Sequence, residues 1–187
     1  MTELDRVASD LRFVRGVLAS TDGTGPASIY FLWAAASLVG FALMDVSHEL
    51  VGPYWTVVAP VGFAISLFLG RRHAHRTGEV SPAHGWRQAW HWSGMLAAMA
   101  LAAVLPARGL VSWDVMNAVF LLILALGYFT AGVHGDRAFL WVGVLMGAGF
   151  VVVTVIPTYA WTAVGVAVAV ALTAAGMRGG RALETAR

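Results

Sequence analysis

The sequence predicts an all-α, polytopic membrane protein with six transmembrane helices in three antiparallel hairpins and an N-terminal amphipathic helix. Three observations predict it. The 187 residues are 59% hydrophobic and 12% charged, about half the charge of an ordinary soluble domain. The mean hydropathy is +0.74. A soluble fold of this size could not bury so much apolar surface, whereas lipid solvates the outside of a bundle. Six apolar stretches follow one another at 27–45, 54–70, 88–105, 113–133, 137–155 and 159–177, each near the ~20 residues that cross the hydrocarbon layer. The arginines then sort themselves about these stretches.

Residues 1–26 are expected to form a cytoplasmic amphipathic helix and linker. Leu4, Val7, Leu11, Val14 and Leu18 recur at spacings of three and four, one stripe on a helix. Thr2 is a candidate N-cap, with Asp5 three residues on. Asp22, Gly23, Gly25 and Pro26 break the helix. Asp and Glu interrupt this segment, so it is not expected to be a cleavable signal, and the first span must direct its own insertion. Residues 27–177 are the six-helix domain, in which Pro60 is expected to kink the second span. Residues 178–187 are expected to be a cytoplasmic tail.

Of the twelve arginines, eleven precede the first span, lie between the second and third or the fourth and fifth, or follow the sixth. Only Arg108 falls on the opposite side. Basic residues are retained in the cytoplasm, so both termini are expected there. The arginine bias and the Ala, Val and Gly content suggest a bacterial inner membrane. Tyr54, Trp55, Trp113, Tyr159 and Trp161 would mark the outer interface, and Tyr30, Trp33, Trp86, Trp90, Trp92 and Trp141 the inner one. The outer connections 46–53, 106–112 and 156–158 are short, so consecutive spans are expected to be antiparallel neighbours. Residues 71–87 form the longest inner loop.

A faint repeat is visible. Phe31-Leu32-Trp33 and Gly40-Phe41 echo Phe139-Leu140-Trp141 and Gly149-Phe150, as would follow from duplication of the first hairpin as the third. Gly143 and Gly147 form a G-x-x-x-G, which suits either contacts inside the bundle or a homodimer; Ala36 and Gly40 resemble it.

Polar groups near a bilayer are costly and therefore candidates for function. Asp45, His48 and Glu49 end the first span, and Asp114 and Asn117 begin the fourth. Asp45 and His48, like Asp114 and Asn117, are three apart and share a helix face. Were the two faces to meet, an acid/base or divalent-metal site would form at the outer interface. The plainer expectation is that Asp114 caps the fourth helix and Asp45 bonds to its neighbours. Arg71, Arg72, Arg76 and Arg87 suit anionic lipid headgroups. His73 and His75 stand among three of these guanidiniums, which disfavours a cation site there. His91 and His134 fall at similar depth on neighbouring helices and could ligate a haem, although bonding to carbonyls is the commoner use.

Much chemistry is excluded. Without cysteine there is no disulfide, thiolate catalysis or Cys-ligated metal, and without lysine no Schiff base. There is no P-loop, dinucleotide fingerprint, H-E-x-x-H or G-x-S-x-G. The middles of the spans lack charge, unlike those of an ion-coupled pump. Ser66, Thr130 and Thr154 there are expected to bond back to their own helices. No cofactor and no nucleic acid are expected; the bilayer, and a protein partner or a second copy, are. The leading expectation is a non-enzymatic protein that binds a partner or senses the membrane. A small transporter or channel for a neutral or amphipathic solute is the alternative, and an intramembrane enzyme or metal site the second.

Overall fold

The computed structural model describes residues 26–77, 82–156 and 158–185. The amphipathic helix expected before residue 26 lies outside the described residues. Six long helices follow: α1 (Ala27–Val46), α2 (Val51–Thr77), α3 (Pro82–Ala102), α4 (Trp113–His134), α5 (Arg137–Val155) and α6 (Ala160–Thr185). All six contain segments long and apolar enough to cross a membrane, as an integral multi-pass protein requires.

The helix ends follow local chemistry. A 3-10 turn, His48–Leu50, links α1 to α2. Pro60 lies inside α2 without ending it. A separate helical turn, Val104–Ala107, extends α3. Gly109 then takes a φ of +71°, which glycine adopts without steric cost. The Leu110 and Gly109 N–H groups donate back to the Leu105 and Pro106 carbonyls, closing a Schellman-type cap. Ser112 caps α4, its hydroxyl accepting from the Val115 N–H at 3.3 Å. Asp136 caps α5, accepting from the Ala138 N–H at 2.9 Å.

Much of the expected loop 71–87 is helical. Arg71, Arg72 and Arg76 stand on the last turns of α2, and Arg87 on the first turns of α3. The run from Arg71 to Thr77 contains neither Gly nor Pro, so nothing in it stops a helix. Likewise α6 continues to Thr185, through most of the expected tail.

The core lies among α1, α4, α5 and α6. Leu121, Met146, Leu172, Val142 and Val168 are its largest fully buried side chains, joined by Tyr30 and Phe41 of α1. Glycines set the spacing. A Cβ on Gly132 would fall 2.0 Å from the Leu140 nitrogen, and one on Gly143 2.4 Å from the Phe129 nitrogen, so α4 and α5 approach backbone to backbone. Gly165 admits Phe41 between α6 and α1, and Gly149 admits Val164 between α5 and α6.

The closest partnerships are α1 with α6 and α4 with α5, and α5 joins α6. α2 rests on α1, and α3 rests on α4. The neighbour order is therefore α2–α1–α6–α5–α4–α3. It is palindromic: exchanging the halves about the α5–α6 contact swaps each helix for one running the other way. This grouping differs from the sequence echo, which relates α1–α2 to α5–α6. The outer members are also the least enclosed. Only 11% of the α2 segment and 6% of the α3 segment are buried, against 22 to 44% for the other four.

Candidate functional site

At one end of the bundle stands the expected outer cluster. Asp45, in the last turn of α1, reaches α6: its Oδ2 accepts both the backbone N–H and the hydroxyl of Thr162, each at 2.7 Å. This satisfies an N–H of the first turn of α6, where no earlier carbonyl is available. Tyr159 precedes α6 with a left-handed φ of 53°, and its side chain has no oxygen placed for capping. The carboxylate of α1 caps α6 across the bundle, and its charge favours the positive end of the helix dipole.

His48 and Asp114 do meet, Nε2 to Oδ1 at 3.0 Å, and tie the α1–α2 turn to the start of α4. Asp114 is thus not the cap of α4, a role Ser112 fills. The pair is open, with side-chain exposures of 48% and 78%. Glu49 is exposed on the 3-10 turn, and Asn117 is half-buried one turn into α4. Asp45 is spent on Thr162, and among the described residues no group of three His, Cys, Asp or Glu side chains could hold a metal. Exposed pairs gain little, so His48→Ala or Asp114→Asn is expected to lower stability by under ~1 kcal/mol. Thermal melting in detergent checks this, and a large loss would show that the pair carries more than a surface contact.

At the opposite end, Asp136 joins two elements. Oδ1 caps α5, while Oδ2 accepts the hydroxyl proton of the buried Tyr30 on α1. Around it Tyr30 stacks on Phe139 at 5.2 Å, Tyr128 meets Phe139 at 5.5 Å, and Trp92 meets Tyr128 at 5.1 Å. This aromatic cluster fastens α3 to the core. A second cluster, Phe41, Trp55 and Trp161, fastens α2 and α6 to α1 at the Asp45 end.

His91 Nε2 lies 2.9 Å from the Gly127 carbonyl and His134 Nδ1 2.9 Å from that of Thr130. A carbonyl only accepts, so each of these nitrogens carries its proton, the commoner use expected of both histidines. Ser66, Thr130 and Thr154 bond to carbonyls four residues back, as expected. Among the described residues no buried side-chain nitrogen or oxygen lacks a partner.

Neither a family model, nor a curated protein, nor a solved structure matches this chain. Its own contacts must carry the functional argument. Two of them were invisible in the sequence. Asp136 could have been recognised as a cap from its place before α5; nothing local marked Tyr30 as its partner. The aromatic residues also divide. Trp86, Trp90, Trp113, Trp141 and Tyr159 are exposed, as interfacial anchors are, whereas Tyr30, Trp55, Trp92 and Trp161 are packed inside the protein.

Of the two expected dimerisation glycines, Gly143 is closed against α4, and a Cβ on Gly147 would meet nothing. Gly94 on α3 is equally open. Ala98 follows four residues later, also exposed, and Trp86, Trp90 and Leu101 continue the same side of the helix.

Proposed function

We propose that this chain is a non-enzymatic, multi-pass protein of a bacterial inner membrane, with both termini cytoplasmic, that holds a helical protein partner against α3. The low burial of α3 carries the reading. One side of α3 is fixed to α4 through His91, Trp92 and Met95. The other offers a Gly94-x-x-x-Ala98 surface flanked by large apolar side chains. Between lipid-immersed helices the attraction is close van der Waals packing, for which small residues leave room. The polar groups support the same view, because Asp45, Tyr30 and Asp136 are engaged in holding helices together.

Photo-crosslinking in the native host tests it. A crosslinker at Ala98 or Leu101 is expected to give a discrete protein adduct that Gly94→Leu abolishes, while one at Val151 of α5 gives none. Equal, lipid-only labelling at all three positions would overturn the reading. A discrete adduct with a second copy of this chain would identify the partner as itself. The arginine asymmetry supports the orientation, and reporter fusions active in the cytoplasm at both ends are expected.

One observation favours a second reading, a small transporter for a neutral or amphipathic solute. The palindromic neighbour order pairs oppositely directed helices about the α5–α6 contact, as inverted halves of transporters are paired, although it matches α1–α2 to α4–α3 and so is not a repeat in chain order. Against it, two apolar hollows lie on the lipid-facing surface, between α1 and α2 and between α1 and α6. Solute flux in proteoliposomes decides between the two.

A further inference from the structure

We infer that α1 and α2 together bind one anionic phospholipid, its headgroup on Arg72 and Arg76 and an acyl chain in the groove between the helices. This site is separate from the α3 face, and neither proposal depends on the other. The groove has a volume of about 220 Å³ and an apolar lining that includes Leu32, Trp33, Val57, Val61, Gly62 and Ile65. Gly62 makes the groove possible. A Cβ there would lie 3.2 Å from the Trp33 ring, which instead lies against α2 and donates its indole N–H to Ser66 at 3.0 Å.

Along α2, Val57, Val61, Ile65, Phe68 and Arg72 recur at spacings of four, four, three and four, a single helix face. All are exposed. The stripe is therefore apolar for its whole length and ends in a guanidinium, with Arg76 one turn beyond. A rise of 1.5 Å per residue puts Ile65 about 10 Å and Val57 about 22 Å from Arg72 along the axis. One leaflet of hydrocarbon is about 15 Å deep. The groove thus begins about 10 Å below Arg72 and runs past the leaflet's depth, so it receives the distal part of an acyl chain whose phosphate sits at Arg72, while the exposed Phe68 covers the stretch between.

Charge decides the headgroup. α2 contains no acidic residue, and Asp45, the one acid of α1, stands at the opposite end. Among the described residues no carboxylate pairs with Arg71, Arg72 or Arg76. Exposed guanidiniums at headgroup depth attract anionic lipids, and their fork geometry matches phosphate oxygens.

The test is native mass spectrometry of the full chain, titrated with phosphatidylglycerol or phosphatidylcholine of identical acyl chains. One phosphatidylglycerol is expected to be retained about fivefold or more over phosphatidylcholine. Arg72→Gln with Arg76→Gln is expected to erase that preference, while Arg178→Gln leaves it unchanged. Val61→Trp, which fills the groove from its exposed edge, is expected to weaken both lipids alike. Inorganic phosphate is expected not to displace the lipid. Equal retention of the two lipids by the unaltered protein would overturn the proposal. So would an undiminished preference in the double variant, binding unaffected by Val61→Trp, or displacement by phosphate alone. All the altered side chains are exposed, and unchanged gel-filtration elution verifies that each variant keeps its fold.

Discussion

Gly143→Leu is expected to break the α4–α5 interface, whereas Gly147→Leu, four residues away on the same helix, is expected to leave the fold intact. At Gly143 a Cβ would come within 2.4 to 2.7 Å of the Phe129 nitrogen and Cα and of the Ala125 oxygen. These are backbone atoms of a helix, and they cannot rotate aside as a side chain does. The helices must separate, and separation forfeits the dispersion contacts that hold them together in lipid. Overpacking of a well-filled core costs about 1–3 kcal/mol where side chains can adjust. Here about 3 kcal/mol or more is expected for leucine, with alanine lower in the same direction. At Gly147 the new side chain enters open space. Unfolding in mixed micelles measures both variants. Equal tolerance of the two leucines would mean that α4 and α5 do not approach as described. A loss of self-association in Gly147→Leu alone would instead locate a homodimer contact at that residue.

The two glycines show what could be read from the sequence and what could not. The spans were legible because insertion depends on local apolar content and length. The fourth and fifth were expected at 113–133 and 137–155 and occur at Trp113–His134 and Arg137–Val155. Their ends blurred only where polar, helix-forming residues carried helices beyond the hydrocarbon layer, as from Arg71 to Thr77 in α2. Which helix lies beside which was not legible. Leucine against lipid and leucine against leucine have nearly the same free energy, so hydropathy does not encode neighbours. The palindromic order depends instead on shape, through Gly132, Gly143 and Gly165, and on polar contacts distant in sequence. At the candidate site, the spacing of polar residues at two span ends allowed His48 to meet Asp114 without requiring it. The transfer of Asp45 to Thr162 did not, because its partner is 117 positions away. Asp114 was the expected cap of α4, but Ser112, two residues earlier, fills that role and Asp114 turns to His48 instead.

The same contact yields the second large effect. Asp45→Ala is expected to destabilise the protein by about 2–4 kcal/mol, since it removes two charge-assisted hydrogen bonds and leaves the Thr162 N–H without its acceptor. Asp45→Asn keeps a carbonyl that can accept but loses the charge at the helix N-terminus, and about 1 kcal/mol is expected. Thr162→Val deletes only the hydroxyl contact and is expected to cost about 1 kcal/mol. The cycle of Asp45→Ala with Thr162→Val separates this contact from general damage. If the carboxylate acts through Thr162, the valine change should cost almost nothing once Asp45 is alanine. Additive losses would remove the hydroxyl contact between Thr162 and Asp45 from the account of how α1 holds α6. Hydrogen exchange gives an independent readout. The first turn of α6 is expected to exchange faster in Asp45→Ala, while the first turn of α5, capped by Asp136, is unchanged. That contrast follows from the architecture, in which α1 is fastened at both ends to helix N-termini: through Asp45 to α6, and through Tyr30 to the cap of α5. Loosening one fastening should free one helix terminus and leave the other in place.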